Sequence, residues 1–159
     1  MEKIAIFVDV QNIYYTVKEG LHGKFDYNHF WRKVVSPNCE VVCAYAYAIE
    51  RNVELQLHFQ NILRGIGFEV KLKPYISRKD GSSKGDWDVG ITIDMLETAP
   101  LVDRLILLSG DGDFDLLAEK LVSRKKIVDV YGVAQLTADS LKKHSSNFYP
   151  IDDTYLINS

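Results

Sequence analysis

The sequence has little of what marks a disulfide-stabilised, membrane-spanning or strongly basic protein. Only two of its 159 residues are cysteine, and no apolar run approaches the ~20 residues that a membrane-spanning helix needs. Cys39 and Cys43 have no further Cys or His pair at a zinc-binding spacing, so we expect both to be reduced and at least one to lie in the core. The net charge of −3 argues at first against a nucleic-acid partner.

The N-terminus leads directly into an apolar, β-rich segment, MEKIAIFVDV. It lacks the basic stretch and separate apolar stretch of a signal peptide, and this predicts a cytoplasmic protein with no membrane association. The hydrophobic content of 47% is ordinary for a globular protein, and the length suits a single domain over residues 1–159.

Apolar, strand-like segments alternate with helix-like segments along the chain. We predict strands over Lys3–Val10, Glu40–Ile49, Phe68–Tyr75, Arg104–Leu108 and Ile127–Tyr131. We predict helices over Asn12–Lys18, Asn28–Val35, Asn52–Gly65, Trp87–Thr98, Asp113–Lys125 and Ala138–His144. The alternation predicts a parallel sheet with helices on both faces.

Two segments fall outside this alternation. Ile76–Gly85 is polar and rich in Gly, Ser and Lys, which predicts a mobile loop. Phe148–Leu156 is predicted to be an extended tail. The apolar C-terminal segment YPIDDTYLI could pair with the sheet edge of a partner or fold back on its own, so a homodimer is one expectation.

Five aspartates stand where predicted strands end or predicted helices begin: Asp9, Asp88, Asp94, Asp111 and Asp113. Ligands of open α/β sheets bind at the carboxyl ends of the strands. Several carboxylates gathered there repel one another unless a cation lies among them. The sequence therefore predicts a divalent-metal site and phosphate chemistry. Neutralisation of these acids by metal would also weaken the objection to a polyanionic partner.

Several rival motifs fail at particular residues. A phosphatase of the haloacid dehalogenase type needs Asp two residues after Asp9, where this chain has Gln11. An EF-hand loop that begins at Asp111 needs Gly and Glu where Leu116 and Val122 stand. Ordinary helix capping by these aspartates remains an alternative.

The helix predicted over Trp87–Thr98 carries two of the acids. Asp88 and Asp94 are six residues apart, which is about 240° around a helix, so they do not share a face. Asp88 is the preferred ligand because it lies at the helix start, near the carboxyl edge of the sheet. Asp94 is expected to orient a neighbour or bind a second ion.

Basic residues near the polar loop suit a substrate backbone. Arg78, Lys79 and Lys84 lie between Tyr75 and Trp87, and cations interleaved with aromatic rings are typical of single-stranded nucleic-acid binding. A solvated loop without such a role is the alternative. In the SGDGDFD segment, Ser109 is a further candidate for substrate binding.

Three blocks, FVDVQN, KGDWDVGITIDM and SGDGDF in this order, closely resemble the NYN domain, the LabA-like branch of the PIN-like nuclease superfamily. The resemblance runs from Ile4 to about Tyr149. It implies a three-layer α/β/α fold whose central parallel sheet has the order 3-2-1-4-5. It also implies an acidic cluster that binds Mg²⁺ or Mn²⁺ and cleaves RNA.

The resemblance also implies which residues form the site. The matching acids are Asp9, Asp88, Asp111 and Asp113 with Asn12 beside them, and Asp94 matches a further family acid. Our hypothesis is a metal-dependent ribonuclease that acts on single-stranded RNA, in which Asn12 orients the phosphate or a water molecule at the metal. The alternatives are a non-catalytic RNA- or protein-binding regulator with the same acidic pocket, and a phosphatase acting on a small nucleotide.

Overall fold

The computed structural model describes residues 1–50, 54–74, 76–77, 83–84 and 86–157. Its strands are β1 (Glu2–Asp9), β2 (Cys39–Glu50), β3 (Glu69–Pro74), β4 (Ile76–Ser77), β5 (Ser83–Lys84), β6 (Arg104–Leu108), β7 (Ile127–Gly132) and β8 (Asn147–Pro150). Its helices are α1 (Val10–Leu21), α2 (Tyr27–Val34), α3 (Glu54–Ile66), α4 (Asp88–Thr98), α5 (Asp115–Ser123) and α6 (Asp139–His144). Short 3-10 turns span Ala99–Leu101, Gly112–Phe114, Ala134–Leu136 and Asp153–Tyr155.

Six of the described strands form one sheet in the order β3-β2-β1-β6-β7-β8, and every neighbouring pair is parallel. Counted among the strands of this sheet, the order is 3-2-1-4-5-6, which confirms the expected 3-2-1-4-5 arrangement and adds a sixth strand. That strand, β8, comes from the predicted extended tail, which folds back beside β7. The homodimer stays a prediction.

Helices cover both faces of the sheet, as the three-layer prediction required. Ile4, Ile6 and Val8 of β1 pack in one core with α1, α2 and α3. Ala5 and Phe7, the alternate residues of the same strand, pack in a second core with α4, α5 and α6. Because β1 is covered on both faces, its sequence is continuously apolar and not alternating.

The structure differs from the sequence predictions in several details. The helix after β1 begins at Val10 and not at Asn12, directly after the last strand residue. Within the predicted loop, β4 and β5 form an antiparallel pair, and residues 78–82 and 85 lie outside the described part of the chain. Both cysteines are free and both are only partly buried, so neither is a true core residue. None of the described helices has the length and apolar character to cross a bilayer.

A polar network around the buried carboxylate of Asp129 joins four strands of the sheet. Asp129 of β7 is 4% exposed, and its carboxylate accepts hydrogen bonds from Arg104 Nη1 of β6 at 2.6 Å and from Asn147 Nδ2 of β8 at 2.8 Å. Arg104 also contacts Glu2 of β1 through its Nε at 3.2 Å. The hydrogen bond from Asn147 to Asp129 therefore attaches the last strand, β8, to the sheet.

Removal of the Asp129 carboxylate should destabilise the fold. We expect Asp129→Ala to lower the free energy of unfolding by about 3 kcal/mol, because Arg104 and Asn147 then lose a buried acceptor. Urea denaturation measures this change. Asp139→Ala is the matched control, since its exposed carboxylate lies 3.8 Å from Lys142 and should contribute nothing measurable. Equal stability of both variants would contradict this prediction.

Candidate metal centre

The register of two adjacent parallel strands forms the base of the site. Val8 of β1 pairs with Leu108 of β6, so Asp9 and Ser109 are the next residues of the two strands. Asp111 follows two residues later in the turn that leaves β6. Because the strands are parallel, Asp9 and Asp111 reach the same edge of the sheet.

The start of α4 brings the third carboxylate to this edge. Trp87 Nε1 donates a hydrogen bond to the carbonyl oxygen of Ala48, near the end of β2, at 2.8 Å. Asp86 Oδ1 accepts from the backbone N–H of Asp88 at 3.2 Å, which forms an Asx-type turn directly before the helix. These contacts fix the first turn of the helix, which carries Asp88.

Three of the predicted acids meet. One carboxylate oxygen each from Asp9, Asp88 and Asp111 lie within 4.8 Å of one another. Asp9 is buried and the other two are partly exposed, so the cluster opens toward solvent on one side. Carboxylate oxygens in this number suit Mg²⁺ or Mn²⁺, which need few protein carboxylates and keep several waters.

Hydrogen bonds between neighbouring residues orient two of these acids. Ser109 Oγ donates to Asp9 Oδ2 at 3.0 Å and accepts from the backbone N–H of Asp111 at 3.2 Å. Asn12 Oδ1 accepts from the backbone N–H of Gly110 at 2.9 Å. Ser109 is fully buried, so its hydroxyl orients the Asp9 carboxylate and the Asp111 backbone from the protein interior.

Close packing explains the glycine after Ser109. A Cβ atom on Gly110 would lie 2.7 Å from the carbonyl oxygen of Leu136, a distance that real Cβ atoms do not reach. The backbone N–H of Ala138 donates to the carbonyl oxygen of Gly110 at 3.0 Å. The turn that carries Asp111 is thus held against the segment that follows β7.

Comparison with known proteins agrees with this arrangement. Residues 3–152 match the NYN domain family. The chain belongs to the NYN domain family.

Two relatives extend the comparison. The low amplitude and bright protein LabA of Synechococcus elongatus is 26% identical over 160 residues, which cover 95% of this chain and 84% of LabA. The crystal structure of VPA0982 from Vibrio parahaemolyticus, a protein of unknown function, has a TM-score of 0.93 and 58% identity. That match covers 98% of this chain and 96% of the other. The NYN fold therefore extends over nearly the whole chain.

Two other predicted acids of this NYN domain lie outside the group of three among the described residues. Asp113 is exposed, and its backbone N–H donates to Asp111 Oδ1 at 2.9 Å, so it contributes to the turn through its main chain. Asp94 Oδ2 accepts from the Tyr47 hydroxyl at 2.7 Å and from Lys71 Nζ at 2.8 Å. Asp94 thus joins α4 to β2 and β3.

Sequence reasoning missed the partners of Asp94. Tyr47 and Lys71 lie on β2 and β3 and pair directly across the two strands. Lys71 Nζ also lies 4.0 Å from the centroid of the Tyr45 ring. The alternate spacing of Tyr45 and Tyr47 shows a shared strand face, but no local signal connects that face to a helix forty residues later.

The predicted substrate-binding residues of the loop are placed only in part. Arg78 and Lys79 lie outside the described residues, and Lys84 belongs to the short strand β5. Their role in substrate binding stays a prediction.

Two carboxyl groups of the cluster, those of Asp9 and Asp88, have raised pKa values and so hold protons more tightly than isolated acids. Burial raises the pKa of Asp9 from 3.8 to about 6, although hydrogen bonds from Ser109 and the Asn12 backbone oppose the increase. Burial also raises the pKa of Asp88 to about 8, with the adjacent Asp111 carboxylate as the next cause. At neutral pH the cluster of the metal-free protein therefore retains a proton that a cation would displace.

The stability of the metal-free protein should fall as pH rises. A carboxyl group whose pKa is raised in the folded state stabilises it fully below about pH 4, and this contribution is lost as pH rises through about 6 for Asp9 and about 8 for Asp88. For Asp9 the difference corresponds to about 3 kcal/mol. Thermal unfolding in EDTA from about pH 5 to about pH 8 measures the decrease.

Two controls accompany this experiment. Asp9→Asn, which removes the most buried charge, should flatten the pH profile and stabilise the metal-free protein near neutral pH. Mn²⁺ should restore the stability of the wild type at the upper end of the range, since it binds the ionised cluster. A metal-free stability that rises with pH over this range would contradict the assigned pKa shifts.

Asp94 is expected to contribute to stability and not to metal binding. Asp94→Ala leaves the buried Tyr47 hydroxyl without its acceptor, so we expect a loss of about 2 kcal/mol of unfolding free energy in EDTA. Tyr47→Phe in the same chain should recover part of this loss, because both polar partners are then absent. If Asp94→Ala instead kept its stability in EDTA and lost Mn²⁺ affinity, Asp94 would be a metal ligand.

Proposed function

We propose that this protein is a metal-dependent ribonuclease that hydrolyses phosphodiester bonds of single-stranded RNA. The observation that carries the proposal is the convergence of Asp9, Asp88 and Asp111 within 4.8 Å at the carboxyl edge of the sheet. Membership of the NYN family, which is PIN-like and typically ribonucleolytic, supports the choice of substrate.

The carboxylates would hold one or two divalent ions. When bound, Mg²⁺ or Mn²⁺ would activate water and stabilise negative charge on the phosphate and on the leaving oxygen. The partly exposed positions of Asp88 and Asp111 leave one side of the cluster open to an extended substrate. The chemistry needs no Ser or Cys nucleophile.

The neighbouring residues would orient the reacting groups. Ser109 fixes the Asp9 carboxylate through its 3.0 Å hydrogen bond, so Asp9 can present its other oxygen to the ion. Asn12 is held by its Oδ1 against the Gly110 backbone, and its Nδ2 group would donate to a phosphate oxygen. The cations Arg78, Lys79 and Lys84 would hold the substrate backbone.

The test is cleavage of labelled single-stranded RNA with Mg²⁺ or Mn²⁺. We expect the wild type to cleave, and we expect Asp9→Asn and Asp111→Asn each to lose more than about 100-fold, beyond the loss typical of residues that only support ligands. Asp103→Asn, which removes one exposed acid directly before β6 and so at the opposite edge of the sheet, is the matched control and should cleave at the wild-type rate. EDTA should abolish cleavage.

The outcomes separate the alternatives. Retention of RNA without cleavage would favour the non-catalytic regulator, and preferential turnover of a mononucleotide would favour the phosphatase. Equal cleavage by the wild type and both site variants would place the activity elsewhere and overturn the proposal. Because Asp9→Asn is expected to be at least as stable as the wild type without metal, its loss of activity cannot be attributed to unfolding.

A further inference from the structure

A large groove opens beside the metal centre between α1 and α3. Its cavity of about 590 Å³ lies on the sheet face opposite α4, and it is within the range of natural ligand sites. Val10 and Gln11, which directly follow Asp9, line one end together with Ala48 and Ile49 from the end of β2. The groove therefore begins at the same carboxyl edge of the sheet as the acidic cluster.

Aromatic rings form one wall of the groove. Tyr14 and Tyr15 are 53% and 50% exposed although they are large and partly apolar. Both line the cavity, with ring centroids 5.3 Å apart and planes nearly perpendicular. Rings that remain half-exposed beside a cavity provide faces on which nucleobases can stack.

The charge of the groove suits a polyanion. Lys18 and Lys24 line it, whereas none of the described lining residues is Asp or Glu. Lys18 Nζ lies 5.7 Å from the centroid of the Tyr14 ring, so a cation and a stacking face are adjacent. The described lining of the groove is therefore positively charged, although the protein as a whole has a net charge of −3.

Amide side chains supply groups for the edges of bases. Gln11 and Gln56 line the cavity with partly exposed side chains, and each amide both donates and accepts hydrogen bonds. Stacking rings, phosphate-binding cations and amides thus occur together in one groove. A purely apolar peptide or a second copy of the chain would not require this combination.

We propose that the groove binds the single-stranded RNA that extends from the bond held at the acidic cluster. This inference rests on the ribonuclease function and adds the path of the substrate. Bases stack on Tyr14 and Tyr15, and Lys18 and Lys24 contact phosphates. The strand then continues past Gln11 to Asp9.

Binding is measured in EDTA with a fluorescent single-stranded RNA of about 12 nucleotides, so that affinity is read without hydrolysis. We expect Tyr14→Ala and Tyr15→Ala each to weaken binding by about tenfold, through loss of stacking. Lys18→Ala combined with Lys24→Ala should lower the steepness of the salt dependence by about 0.7 for each lysine.

Matched controls lie on the other parts of the fold. Lys143→Ala on α6 removes an exposed lysine on the opposite face, and Tyr149→Ala on β8 removes a tyrosine that is 40% exposed. Neither should change RNA affinity by more than about twofold. Photo-crosslinking of RNA that contains 4-thiouridine should label peptides from α1.

Several outcomes would overturn the inference. These are no RNA binding by the wild type, groove variants that bind like the wild type, or Tyr14→Ala converting a dimer into a monomer without change in RNA affinity. The last result would make the groove a subunit interface. RNA bound in the groove without Mn²⁺-dependent cleavage would support the path and refute the ribonuclease function. Mn²⁺-dependent cleavage together with groove variants that bind RNA like the wild type would support the ribonuclease function and refute the path.

Discussion

The pairing of β1 with β6 is the constraint on which the site depends. Val8 opposite Leu108 fixes Asp9 beside Ser109, and the turn after Ser109 packs closely against Leu136 at Gly110. The backbone hydrogen bonds of the central strands therefore hold two carboxylates together against their mutual repulsion. The raised pKa of Asp9, about 6, reflects the cost of burying this acid, and a bound divalent cation would offset that cost.

Helix α4 completes the site and also depends on a second set of contacts. Its first turn is fixed by the hydrogen bond from Trp87 to Ala48, and its next turns by Asp94 with Lys71. Burial and the Asp94 carboxylate raise the pKa of Tyr47 above its usual range, so its hydroxyl remains a donor to that acid. One helix thus directs Asp88 toward the metal centre and Asp94 toward the sheet, which is why two similar acids have different surroundings.

Sequence alone predicts the features that depend on local pattern. Apolar runs that alternate with segments of helical periodicity predict the parallel sheet. Asp9 and Asp111 directly follow such runs, which predicts that they meet at one edge of the sheet. The 240° rotation between Asp88 and Asp94 correctly separated them. The contact of Asp94 with Lys71 and the sixth strand could not be predicted, because both depend on long-range packing. The exclusion of Asp113 from the group depends on the detailed course of a 3-10 turn.

The distribution of charge would reconcile an acidic protein with the polyanionic substrate that we propose. Net charge sums over the whole surface, whereas a bound strand experiences the field within about a Debye length, ~8 Å at physiological salt. One divalent ion would reduce the negative charge of the three acids and two would make the centre net positive, and the adjoining groove contributes Lys18 and Lys24 without an Asp or Glu among its described lining residues. A negative remainder elsewhere would then disfavour non-specific binding of RNA to the rest of the molecule and would direct the proposed substrate to the groove that leads to Asp9.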